Sequence, residues 1–289
     1  MHKAGFVSIL GNPNAGKSTL LNALLGENLS IISPKAQTTR HRIHGILNAE
    51  DYQIVFADTP GLVNPHNKLH ESMLSAVEST VADADVFLLV SPLGEDFKNV
   101  EILKKIIASE KPILLLLNKI DLSNQDEVAA KIEYWHSELP NAEIMPISAL
   151  HKFGVENVLE RILAHLPESP PYYPKDDVSD RDVRFFVKEI IRQKILTFYK
   201  KEIPYSIEVT IEDYIEDPTI DRIFAVIYVE RESQKGILIG HQGTALKRVG
   251  TEARRSIENF LSKKIFLSLQ VKLMKNWRND EKTLAQFGY

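Results

Sequence analysis

Gly11-Asn12-Pro13-Asn14-Ala15-Gly16-Lys17-Ser18 matches G-x-x-x-x-G-K-[ST] at every fixed position. Residues of these types at this spacing bind phosphate. The glycines carry no Cβ, so the loop can wrap with its backbone N–H groups pointing inward at an anion. Lys17 adds a mobile positive charge for β- and γ-phosphates, and Ser18 offers a hydroxyl to a magnesium ion. Thr19 follows on the next helix, whose first N–H groups and dipole also favour an anion. The combination suits a nucleoside triphosphate.

Further along stands Asp58-Thr59-Pro60-Gly61. By itself D-x-x-G marks only a turn capped by an aspartate. Some forty residues after a phosphate loop, it reads as a γ-phosphate sensor: the Asp58 carboxylate holds magnesium and the Gly61 N–H points at the phosphate. Asn118-Lys119-Ile120-Asp121 supplies the base reader. A carboxylate here accepts from both the ring N1–H and the exocyclic amine of guanine, a pair that adenine lacks, so the motif predicts GTP over ATP. Ser148-Ala149 follows the next strand, where a backbone N–H can reach the guanine O6.

These groups need a scaffold that delivers them to one edge. Residues 6–10 form a short apolar run of strand length, and Leu20, Leu21, Leu24 and Leu25 recur at helical spacing after the loop. Residues 43–47 and 52–56 predict two strands joined by a tight turn, and 68–81 a helix. Residues 85–90 and 112–117 are uniformly apolar, as strands buried on both faces of a parallel sheet are. A strand at 143–147 and a helix at 155–166 complete the set. Each chemical motif falls just past a strand's C-terminal end, where open α/β sheets bind ligands.

The chain has 289 residues, enough for two domains. It has no cysteine, which excludes disulfides and cysteine-based zinc sites. No apolar run approaches the roughly 18 residues needed to cross a bilayer, and no leader-like stretch precedes the first strand. A cytoplasmic location is the expectation. Net charge is −4, but it is unevenly placed: residues 181–289 carry 20 basic against 15 acidic side chains, and residues 233–289 carry 11 against 4. The second half is therefore where a nucleic-acid site is to be sought.

Four prolines in residues 167–174 predict a stiff, extended linker, so the first domain is set at 1–167, the linker at 168–181 and the second domain at 182–289. In the second domain a helix (183–199), two strands (205–212 and 220–230) and a last strand (264–274) surround Gly240-His241-Gln242-Gly243. G-x-x-G at a helix start lets a nucleic-acid backbone approach closely. With Lys235, Lys247, Arg248, Arg254 and Arg255 around it and an α-β-β-α-α-β order, it reads as a KH domain. The fold class is thus α/β: a P-loop GTPase domain with a mostly parallel sheet, followed by an α+β type II KH domain.

In order and spacing, these landmarks resemble the Era family of bacterial GTPases over essentially the whole chain. Residues 11–18, 58–61, 118–121 and 147–149 match four of the five GTPase motifs; the fifth, in the first switch, stands as Gln37-Thr38-Thr39-Arg40-His41. The resemblance implies slow GTP hydrolysis, Mg2+ held by Ser18, Asp58 and a switch threonine (Thr39, with Thr38 as the alternative), and binding to the 3′ end of 16S ribosomal RNA during 30S subunit maturation. It also implies a monomer. Asn14 matches an asparagine that ligates K+ in similar GTPases. Lys17, Thr39, Asp58, Gly61 and Asn14 are therefore the expected catalytic set, and Lys235, residues 240–243, Lys247, Arg248 and Arg254 the expected RNA contacts. Two positions depart from the usual pattern: Leu62 stands where a glutamine would orient water, and His241-Gln242 replaces a G-x-x-G interior that commonly carries lysine. Two other readings stay open, an RNA-binding assembly factor whose nucleotide site is structural, and a cell-cycle or signalling GTPase peripherally bound at the inner face of the cell membrane. The intact Lys17, Ser18, Asp58 and Asp121 favour a hydrolysing switch.

Overall fold

The computed structural model describes residues 2–62, 65–97 and 99–289. The chain divides into two compact units, Met1–Pro65 with His70–Asp180, and His66–Leu69 with Arg181–Tyr289. In the first, β1 (Lys3–Gly11), β2 (Ile43–Asn48), β3 (Tyr52–Asp58), β4 (Val86–Pro92), β5 (Ile113–Asn118) and β6 (Glu143–Pro146) form one sheet in the order β2-β3-β1-β4-β5-β6. Only the β2–β3 pair is antiparallel. The helices are α1 (Lys17–Leu25), α2 (Lys68–Asp83), α3 (Val100–Ala108), α4 (Gln125–Glu138) and α5 (Val155–His165). Periodicity had not singled out α3 and α4; both start on an asparagine N-cap, Asn99 and Asn124, whose side chain accepts from the third helical N–H.

The uniformly apolar strands are explained by the two layers of helix. Along β4, Val86, Leu88 and Val90 pack with Leu20, Leu21 and Leu24 of α1 and Val158 and Ile162 of α5. Phe87 and Leu89 face the opposite way, toward Val77 of α2, Ile106 of α3 and Trp135 of α4. A strand covered on both faces has no reason to alternate. From β1 the chain goes to one side for β3 and to the other for β4, so the strand order reverses at β1, and this reversal opens a crevice at the strands' C-terminal ends.

The second unit contains α6 (Val183–Phe198), α7 (Ile203–Ser206), β7 (Glu208–Ile215), β8 (Asp221–Val229), α8 (Glu232–Ile239), α9 (Thr244–Leu261), β9 (Ile265–Leu273) and α10 (Glu281–Gln286). Its sheet runs β7-β8-β9, with β7 antiparallel and β9 parallel to β8. Val187, Ile191 and Ile195 of α6 and Val249, Ala253 and Ile257 of α9 cover one face of it. Strand β7 begins and ends about three residues later than its alternation implies. Pro204, which suits a first helical turn, makes 203–206 helical, and a bulge between Ile211 and Asp213 carries the strand into the acidic segment. Among the described residues no helix is long and apolar enough to cross a membrane.

Residues 168–180, expected from their prolines to be a stiff, extended linker, are a strap bound to the first unit. Ser169 N–H donates to the His2 carbonyl, Ile46 N–H to Val178, and His44 N–H to the Asp180 carboxylate. Strand β2 is the sheet edge, and the strap satisfies backbone groups that an edge leaves open. Fully buried Gln53 anchors the middle, its oxygen accepting from Tyr172 and Tyr173 N–H while its amide donates to Asn48 Oδ1 and Tyr173 O. Replacing Gln53 with alanine strips these partners and is expected to cost about 2–4 kcal/mol. Urea unfolding should show that loss, and limited proteolysis should show new cleavage within 168–180.

Candidate functional site

Between β1 and α1 the phosphate loop turns through left-handed residues, Asn14 at φ 62° and Gly16 at φ 100°. A Cβ on Gly16 would lie 2.2 Å from Asn118 Nδ2, so both backbone and space demand glycine there. The Lys17 ammonium is buried and donates to the carbonyls of Gly11 (3.1 Å) and Asn12 (2.9 Å). Burial pushes it down to about 8, with the Asp58 charge pulling upward. Burial likewise raises Asp58, opposed first by its hydrogen bond from Ser18 and then by Lys17.

Three hard oxygens converge beside the loop. Ser18 Oγ lies 2.7 Å from Asp58 Oδ2 and 3.0 Å from Thr39 Oγ1, and Thr39 Oγ1 lies 3.4 Å from the same carboxylate oxygen. The other carboxylate oxygen, Oδ1, is buried and makes no well-formed hydrogen bond, the Ser30 hydroxyl being its neighbour. An orphaned carboxylate oxygen among hydroxyls is the donor set that magnesium takes. Of the two switch threonines, Thr39 stands beside Ser18 and Asp58, whereas the Thr38 hydroxyl donates to Lys35 O.

At the base end, Asn118 Nδ2 donates to Ala15 O (2.8 Å), and its Oδ1 accepts from Lys119 N–H (2.8 Å) and Ala149 N–H (3.0 Å). Lys119 Nζ donates to Asn14 O at 2.7 Å. Asp121 Oδ1 accepts from Ser148 Oγ at 2.5 Å, while Oδ2 faces His151 Nε2 at 3.8 Å. Ser148 thus orients the carboxylate and leaves one oxygen for a base.

These groups line one cleft of about 580 Å³. Of the expected nucleotide residues, Pro13, Asn14, Gly16, Lys17, Ser18, Thr19, Gly61, Asn118, Lys119, Asp121 and Ala149, with Thr39, are on its wall. The others stand behind it. Gly11 and Asn12 offer carbonyls to Lys17, Ala15 holds Asn118, and Asp58 and Ser148 hold Ser18 and Asp121. The Asn12 side chain turns toward Asp96 O, and buried Thr59 donates to Ile9 O; neither it nor Pro60 reaches the wall. Leu62 is 4% exposed, in the core with Leu10 and Val77, so it presents nothing to the cleft. The motifs gave no warning of Ile31, Ile32, Pro34 and Lys35 from the first-switch loop, or of Leu122 and Leu150 at the base end. The available signal was a leucine directly after each base motif, 77% and 72% exposed.

In the second unit, G-x-x-G forms a turn between α8 and α9, with Gly240 at φ 71°, Gln242 at φ 49° and Gly243 at φ 77°. His241 and Gln242 are exposed. From Gly243 a groove of about 370 Å³ runs between α9 and β9, walled by Leu246, Lys247, Gly250, Thr251 and Arg254 and floored by Leu267 and Leu269. Lys247 and Arg254 thus meet there, whereas Lys235 does not line it and the Arg248 guanidinium stacks on the Phe198 ring at 4.3 Å. Gly250 and Thr251 follow Gly243 and Lys247 at helical spacing, the pattern that could have located this wall.

Fold and cleft define a P-loop GTPase joined to a KH domain. A family model described as 50S ribosome-binding GTPase matches residues 6–119, and a KH domain model matches residues 202–278. A solved structure of Era from Aquifex aeolicus, a single-substitution variant bound to GDP·AlF4−, is 37% identical, with 99% of each chain covered and a TM-score of 0.95. Era in complex with MgGDPNP and nucleotides 1506–1542 of 16S ribosomal RNA is 38% identical, covering 100% of this chain and 99% of that one, with a TM-score of 0.96. The chain belongs to the Era family of GTPases.

The hold of Ser148 on Asp121 generates a base-selectivity prediction. In Asp121→Asn the amide oxygen keeps the Ser148 hydroxyl and the NH2 turns to the base, where xanthine offers a second oxygen. Competition binding should show preference moving from GTP toward XTP by at least about tenfold; an unchanged ratio would remove Asp121 as base reader.

Proposed function

We propose that this chain is a GTP-hydrolysing switch that binds the 3′ region of 16S ribosomal RNA and assists assembly and maturation of the 30S subunit in the cytoplasm. One observation carries the reading: a guanine reader, a phosphate loop and a cation-ready oxygen cluster share one cleft in a chain that also bears a KH groove. Full-length similarity to Era, which is found in complex with both a GTP analogue and 16S ribosomal RNA, supports the same pairing.

In the cleft, Lys17 and the loop N–H groups hold and orient the phosphates, and the α1 N-terminus adds its dipole. Ser18, Thr39 and Asp58 would hold magnesium, which when bound neutralises charge on the β- and γ-phosphates. Gly61 packs against Pro13, where a Cβ would come within 2.8 Å of the Pro13 Cα, so only glycine fits this close to the phosphate loop. Thr39 and Gly61 are thus the two readers of nucleotide state. Leu62, directly after Gly61, is buried and so does not orient the attacking water. We assign the missing charge compensation to K+ at Asn14, which lines the cleft.

Two measurements test this function. A non-hydrolysable GTP analogue should tighten binding of a single-stranded 16S 3′ fragment relative to GDP, with a coupling of about 1–3 kcal/mol. Fluorescence anisotropy at one fixed salt concentration reads it, and equal affinities would reject the switch. GTP turnover should rise when K+ replaces Na+ at constant ionic strength; equal rates would reject the assignment at Asn14.

A further inference from the structure

Alternation along the second unit's sheet sends successive residues to opposite faces. Ile223, Ala225 and Ile227 of β8 and Ile265, Leu267 and Leu269 of β9 turn to the core beneath α6 and α9. The residues between them, Arg222 and Phe224 on β8 and Phe266, Ser268, Gln270 and Lys272 on β9, therefore belong to the other face. At one end of that face Phe287 covers Tyr228, with ring centroids 5.4 Å apart. At the other end Phe224 and Phe266 are left 36% and 52% exposed, on neighbouring strands with ring centroids 6.0 Å apart. Ile215, which pairs with Arg222 from β7, is exposed too. Neither phenylalanine is among the residues packed into the core, and large apolar side chains gathered in the open mark an interaction surface.

Resting on the reading of the second unit as an RNA-binding module, we propose that this open sheet face is a second site for single-stranded RNA, where Phe224 and Phe266 each stack an unpaired base. Strand β9 makes it continuous with the groove. It is the outermost strand, with Leu267 and Leu269 on the groove floor and Phe266 and Ser268 on the opposite face. A space of about 370 Å³ is that of a small ligand, so the groove takes only part of a long strand and the remainder crosses the β9 edge. Rings on the open face of a sheet form a platform on which any base stacks, since every base has a π-face. Charge fixes the path. Arg222 stands in register with Phe266, and Lys272 lies further along β9, whereas Glu212 and Asp213 belong to β7, so the phosphates follow β9. A duplex, with its bases already stacked, offers these rings no free face.

The test compares the full wild-type chain with two double variants, Phe224→Leu with Phe266→Leu and Phe224→Tyr with Phe266→Tyr. Each is titrated with two fluorescent single-stranded 16S 3′ fragments, one of about five nucleotides, sized for the groove, and one of about fifteen. Leucine keeps the patch apolar but removes the flat ring. It should weaken the long fragment by about 10–30-fold and leave the short one within about twofold of wild type. Tyrosine should bind both as wild type does. The slope of log affinity against log salt should not change in the leucine variant, because stacking releases no counterions. Unchanged affinity for the long fragment, or equal weakening of both, would overturn this site alone. Unchanged RNA affinity together with a self-association, seen by sedimentation, that only the leucine variant loses would assign the patch to a second copy of the chain instead. Failure of wild type to bind either fragment would overturn the RNA reading and this inference together.

Discussion

The carboxamide of Asn118 joins three loops that lie far apart in the chain. One donor reaches Ala15 O in the phosphate loop, and one oxygen receives Lys119 N–H and Ala149 N–H from the two base-end loops. Asn118 is buried, and the bonds to Ala15 O and from Ala149 N–H form away from competing water, so losing either would leave a buried backbone group unpaired. It also fills the space beside Gly16 that a methyl would take. The distance between phosphate end and base end of the cleft is thereby set by one buried residue of the cleft wall. Lys119 repeats the tie from outside, reaching Asn14 O.

Within that frame the cleft stores charge in a form ready for a ligand. Lys17 and Asp58 are both buried, and burial disfavours the ionised form of each. They are kept near one another by Ser18 and by the backbone carbonyls of residues 11 and 12. A phosphate and a divalent cation would each supply the opposite charge that these groups lack, so ligand binding relieves a cost already present in the folded protein.

The strap of residues 168–180 illustrates how an irregular segment acquires structure. Its prolines remove donors and favour extended backbone, which makes it a poor helix and a good cover for the β2 edge. Gln53 holds it through side-chain bonds, which need no regular strand register. The chain then leaves the first unit at Asp180, whose carboxylate accepts from His44 N–H, five residues beyond Thr39.

The sequence alone determined the motifs, the strands and most helices around them, and the KH order, because each depends on local spacing: glycines where φ is positive, apolar runs where both faces are buried, G-x-x-G where two helices meet. It could not determine which threonine meets Ser18 and Asp58, since Thr38 and Thr39 are adjacent and only the path of the switch loop turns one inward. Helices α3 and α4 were not read, although Ile102, Leu103 and Ile106 in one and Ile132 and Trp135 in the other recur at helical spacing; what they cover is a sheet made by distant strands, which local spacing does not name. Arg248 and Lys247 are neighbours of identical charge, yet one stacks on Phe198 and the other faces the groove, because consecutive helical residues point about 100° apart. The role of Gln53 and the base-end leucines was decided by tertiary structure for the same reason: a side chain's partner across the sheet or cleft is fixed by packing between segments, on which local spacing carries no information.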